Sequence, residues 1–192
     1  MRSPAFVAAS LLLSVALAAC NSDGRTRGPS TSVTAVHAAP SFGELAFLRE
    51  ERVVAALAYR NPTTALFEVD QYDFNVDAAH PGETTVTREL TFSQTLAADT
   101  DHFFIITESG GALAPLIVTK PPFSPTASDA EVSLIHAGTA FPAVSVYVTA
   151  PGADLSAANP IGSASYTQTV APQTFAVGDY RLLRSASDRI AS

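Results

Sequence analysis

One cysteine, no tryptophan and few charges set the first limits on this chain of 192 residues. A lone Cys20 excludes an internal disulfide framework and a zinc site built on cysteine thiolates. Charged residues make up only 15% of the chain, and 11 Lys and Arg stand against 18 Asp and Glu, for a net charge of -7. Arg49, Arg52, Arg60 and Arg88 are scattered. The clustered basic surface that nucleic acid rewards through counterion release is therefore missing. The 4 histidines, His37, His80, His102 and His136, form no H-x-H or H-x-x-x-H pair, so spacing points to no metal site and to no cofactor. There is no G-x-S-x-G elbow, and Thr107-Glu108-Ser109-Gly110-Gly111 reads as a turn. Asp73 and Asp77 fall on the outer face of one strand, with Asp70 just before it. There they stay hydrated, and form neither a glycosidase pair nor an EF-hand loop. No glycine-rich phosphate loop is present, and no long helical period.

What the chain does have is apolar residues, 47% of the total, recurring at every second position between turn residues. That pattern makes half-buried strands and an all-β fold. The N-terminal end differs. Residues 5–17 are apolar apart from Ser10 and Ser14, too short a run for a permanent membrane span, and they lead into Leu17-Ala18-Ala19-Cys20. The small residues at 18 and 19 suit an extended chain in a peptidase groove, and the thiol can carry diacylglycerol. The stretch resembles a bacterial lipoprotein signal with its lipobox. That resemblance implies cleavage between Ala19 and Cys20, lipid on Cys20, and a cell-envelope location on the membrane, facing the periplasm or the exterior. An ordinary secretory signal with a chance cysteine, or a short membrane anchor, is the alternative. Asn21 is compatible with outer-membrane sorting in a Gram-negative cell. Several acyl chains on one residue anchor stably where one would not. Residues 20–32 are polar and bear Gly and Pro, which makes them a flexible tether.

The remainder divides into two β modules, 33–121 and 131–192, joined by a Pro/Ser linker at 122–130. Thr34-Ala35-Val36-His37-Ala38 recurs as Ser133-Leu134-Ile135-His136-Ala137, with the histidines 99 residues apart. Leu45-Ala46-Phe47 matches Val144 to Val148, Ala58-Tyr59 matches Ser165-Tyr166, and Tyr72 matches Tyr180. In the first module, Tyr72, Phe74 and Val76 face inward and Asp73, Asn75 and Asp77 outward. The alternation of Val86, Leu90 and Phe92 puts Arg88 on the apolar side, as on an edge strand or with a snorkelling side chain. The run from His102 to Ile106 is apolar on both faces and should be a central strand. The expected architecture is two tandem antiparallel β-sandwich modules of immunoglobulin-like size.

Val132-Ser133-Leu134-Ile135-His136-Ala137, then Val144 to Val148, then Gly178-Asp179-Tyr180 resemble the bacterial domain of unknown function family 4397. The first module's Ala98-Asp99-Thr100-Asp101-His102-Phe103 is similar to a later strand entry of that family. The resemblance spans roughly residues 33–185 and implies fold and an extracytoplasmic, often lipid-anchored setting. It carries no catalytic residues. Module one has Glu44 to Leu48 where the family's valine strand is expected, and Ser145 stands where the family has Asp.

Only twelve residues follow Tyr180, against about fifty after Tyr72 in the first module. The run Ser185 to Ile190 does not read as a core strand. The second copy is thus expected to be incomplete, through truncation of the gene or with its missing strands supplied by strand addition, truncation being the simpler. His37 and His136, at equivalent positions, read as structural residues at strand ends whose ring nitrogens cap backbone carbonyls, with a ligand contact as the lesser reading. Tyr147, Tyr166, Tyr180, Phe141 and Phe175 read as core, or else as an aromatic surface for carbohydrate or protein. The function these features suggest is a lipid-anchored, non-catalytic binding or structural module, with membrane contact through the lipid and a protein or carbohydrate ligand. An envelope hydrolase with its site between the modules is the alternative.

Overall fold

The structure, a computed structural model, describes residues 28–122, 128–139, 141–154 and 158–186. Ala19 and Cys20 lie outside the described residues, as do the expected signal peptide and most of the tether. Among the described residues there are thirteen strands and no helix, and none is long and apolar enough to cross a membrane as a helix.

Eight strands build the first module: β1 (Ser30–His37), β2 (Leu45–Arg49), β3 (Arg52–Leu57), β4 (Pro62–Glu68), β5 (Gln71–Ala79), β6 (Val86–Thr95), β7 (Asp101–Ser109) and β8 (Ala112–Lys120). They form two four-stranded sheets, ordered β4-β1-β7-β8 and β3-β2-β5-β6. The inward faces meet in an aromatic core. Phe74 is fully buried and touches Phe47 (ring centroids 5.4 Å), Phe67 (5.8 Å), Phe92 (5.6 Å) and Phe104 (4.9 Å). Turn chemistry fixes the hairpins. Gly110 and Gly111, at φ 62 and 83, make the two-residue reversal between β7 and β8 that only a pair of left-handed residues closes without splaying the strands. Glu50, at φ 54, turns β2 into β3.

Five strands follow in the second module: β9 (Asp129–Ile135), β10 (Ala143–Thr149), β11 (Gly162–Ser165), β12 (Thr169–Ala176) and β13 (Arg181–Ala186). Their pairings, β12-β9 and β11-β10-β13, repeat those of the first five strands, where β4 pairs β1 and β3-β2-β5 form a sheet. Register repeats as well. Val144 faces Ala164 as Leu45 faces Leu57, and Val148 faces Leu182 as Arg49 faces Phe74. The described residues are therefore all-β, in two tandem sandwich modules, the second with five strands among them against eight in the first. Nothing among the described residues stands in for β6, β7 and β8. The result is a small core of Val144, Val146, Ala164 and Val170, beside an open apolar groove of about 220 Å³ lined by Val132, Val148, Phe175, Val177, Tyr180 and Leu182.

Four details differ from the sequence-based expectation. The first sheet is not wholly antiparallel: β1 runs parallel to β7, Val33 opposite His102 through His37 opposite Ile106. Strand β1 also starts at Ser30, inside the expected tether. Thr31 hydroxyl donates to the Thr100 carbonyl and Ser32 to Asp101 (2.6 Å), giving these polar residues a reason to join the sheet. Arg88 does not face the core. A bulge between Val76 and Asp77 re-aims it outward, opposite Asp77, on what is indeed an edge strand. There it donates to Asp77 (2.5 Å) and to Glu51 (3.0 Å), holding the Glu51 carboxyl below its usual range. Finally, Asn75 lies on the outer face yet is buried, donating to the Glu50 carbonyl (2.5 Å) and accepting from Thr91 (2.8 Å). The β2–β3 turn covers it.

Candidate functional site: the paired histidine turns and the cleft between the modules

Each module opens on the same device. At the end of β1, the Nε2–H of His37 donates to the Gly43 carbonyl (2.7 Å), and Nδ1 accepts from the Ala39 amide (3.2 Å). At the end of β9, His136 does the same with the Phe141 carbonyl (3.0 Å) and the Gly138 amide (3.2 Å). The histidine carbonyls also match, accepting from Arg60 N–H (2.9 Å) and Thr167 N–H (2.8 Å). Both of those residues are left-handed, at φ 70. Both histidines are buried, at 0% and 6% exposure. An imidazole bonded in this way has both ring nitrogens engaged by backbone groups. It has no nitrogen left for a proton transfer or a metal. The capping of a carbonyl follows from a polar ring at a strand end. The second bond, to the amide two residues on, is the imidazole counterpart of an Asx turn.

The other candidates stay apart. His80 pairs with Glu89 at the surface (2.9 Å). His102 is buried, with Nε2 accepting from the Ala97 amide (3.3 Å) and Nδ1 without a partner among the described residues; burial holds its pKa below the usual value. Asp70 accepts from Gln71 N–H (2.8 Å), Asp73 from the Ser93 hydroxyl, and Asp77 from Arg88, so the three carboxylates do not converge. Among the described residues no group of three His, Cys, Asp or Glu could hold a metal ion. Thr107 to Gly111 forms the end and tip of the β7–β8 hairpin, and Glu108 accepts from the Ser41 amide (3.2 Å).

The aromatic candidates divide. Tyr147 is buried, Tyr166 donates its hydroxyl to Thr107 across the modules (3.0 Å), and Phe175 packs on Tyr180 (5.6 Å). Tyr180 and Phe141, expected in the core, are 46% and 38% exposed. Tyr180 lies at the mouth of the open groove, and Phe141 between the modules.

The Tyr166–Thr107 bond and a Lys120–Glu131 ion pair (2.6 Å) join the two modules. Between them lies a cleft of about 510 Å³, to which Tyr59, Arg60, Glu108, Phe141 and Arg184 contribute. The Arg60 guanidinium sits over the Tyr59 ring (4.9 Å) and that of Arg184 over Phe141 (5.0 Å). Such stacking orients a cation without neutralising it. Sequence reasoning placed a site between the modules only as the hydrolase alternative and named none of these residues, which come from separated segments with no shared spacing. A signal was nonetheless present, in arginines standing where the repeat shows none are needed. No family model matches this chain, and no curated protein matches it.

Proposed function

We propose that this chain is a lipid-anchored cell-envelope protein acting as a non-catalytic binding module, held to a membrane through Cys20 and taking its ligand in the cleft between the modules. The observation that carries the binding reading is the commitment of both repeated histidines. Each spends both ring nitrogens on backbone groups, so neither can serve as the general base a hydrolase between the modules would need. The cleft meanwhile presents oriented cations and aromatic surface, which is recognition chemistry. The anchoring reading is supported by the Leu17-Ala18-Ala19-Cys20 pattern behind its apolar run.

Two experiments test the two halves of this proposal. Cys20→Ala should shift the protein from the membrane fraction to soluble or unprocessed material, and unchanged fractionation would end the anchoring claim. Hydrolysis of ester, amide or glycoside probes that is abolished by His37→Gln or His136→Gln in a folded chain would end the non-catalytic one.

A further inference from the structure

The repeat is an internal control for what the fold requires of each position. The left-handed residue after β3 is Arg60, and after β11 it is Thr167. In both, the turn uses only the backbone N–H, so it makes no demand for a guanidinium. Arg184 sits opposite Val146 as Val76 sits opposite Phe47. Val76 is fully buried, whereas Arg184 is exposed and lies against Phe141. Phe141 in turn supplies the carbonyl that Gly43 supplies to His37. Two departures from the repeat, Arg60 and Arg184, therefore meet in one cleft, beside Phe141, which keeps the place that Phe42 holds 99 residues earlier. Neither Arg60 nor Arg184 makes an ion pair with a described residue, unlike Arg88, which has two carboxylates. Glu108 is the acid in the cleft wall, and one of its oxygens is taken by Ser41 N–H.

We infer that the cleft binds a ligand bearing oxyanion groups, carboxylate or phosphate, engaged by Arg60 and Arg184. This names the ligand class for the binding site proposed above and rests on that reading. A guanidinium offers a planar fork of donors that matches either oxyanion in a bidentate way. The rings beneath hold the two forks in place, reducing the ordering cost of binding. The second oxygen of Glu108 repels further acid on its side and accepts from a hydroxyl or amine. That favours an acidic saccharide over a free inorganic ion.

The test is calorimetric titration of the full chain with inorganic phosphate and, separately, with trigalacturonate, at low and high salt. Saturable binding of at least one probe is expected, weaker at high salt because the contacts are ionic. Arg60→Thr and Arg184→Val install the residues the other repeat carries and should each weaken binding on the order of tenfold. Arg60→Lys keeps the charge and the turn but loses the fork, and should also bind more weakly. Binding of trigalacturonate alone identifies a saccharide acid, and equal binding of both identifies the oxyanion as sufficient. No saturable binding of either probe overturns the inference, as does unchanged binding in a double Arg60→Thr, Arg184→Val chain that unfolds at the wild-type temperature. If that double variant still captures a component of envelope extract, the ligand class falls while the binding-module reading stands.

Discussion

Phe74 and Leu182 hold the same register in the two modules, yet Phe74 is 0% exposed and Leu182 58%. Around them the local structure is nearly identical. Phe67 tilts on Tyr72 at 5.9 Å and Phe175 on Tyr180 at 5.6 Å, and the Val69 and Val177 amides donate to the Pro29 and Ser128 carbonyls. The difference is what lies opposite. Phe74 meets Phe92 of β6 and Phe104 of β7, and the second module has no counterpart of either strand among the described residues. Turns, caps and register are thus encoded within a few residues. Burial is supplied by the strands that follow in the chain.

The largest effect that would break this comparison is separation of the halves. Residues 31–122 alone should unfold cooperatively in urea as a stable β domain, while 129–192 alone should aggregate or stay unfolded. A cooperative transition from the second fragment would show that its five strands suffice. Next, Phe74→Ala should cost about 3–5 kcal/mol, since it opens a cavity among five aromatic neighbours, whereas Leu182→Ala should cost under about 1 kcal/mol. Equal losses from chemical denaturation would mean that the groove is filled. His37→Ala removes two hydrogen bonds and an edge contact with Tyr59 (5.5 Å), and should cost about 2–3 kcal/mol. His136→Ala should cost less, because its surroundings are less complete.

The smallest effect is on pH. Burial lowers the pKa of His102 in the folded state, so the fold favours the neutral ring. Its contribution is present above the unfolded value near 6.5 and is lost as pH falls through the lower folded value. Urea midpoints of the first module should therefore decline below about pH 6.5, and less so in His102→Phe.

Much of this was legible in the residues. The period-two run Tyr72-Phe74-Val76 gave β5, Ser109-Gly110-Gly111 gave the hairpin, the stretch from His102 to Ile106 gave a central strand, and the matched histidines gave the repeat. What escaped depends on distance or on one inserted residue. Parallel pairing of β1 with β7 joins residues about 70 apart and has no local signature. The bulge at Val76/Asp77 turns Arg88 to solvent against the reading of strict alternation. The final residues of β13, Ser185 and Ala186, pair with Ser145 and Val144 without any apolar pattern to announce it. The cleft depends on how two modules sit together, which no single stretch records.

The most direct test is amide hydrogen exchange on the full chain, strand by strand. Amides of β5 and β7 should exchange at the global unfolding limit, and those of β9 and β13 at least about a hundredfold faster, since their opening exposes little that is not already exposed. Equal protection in the two modules would contradict the account, showing that the second core is as complete as the first.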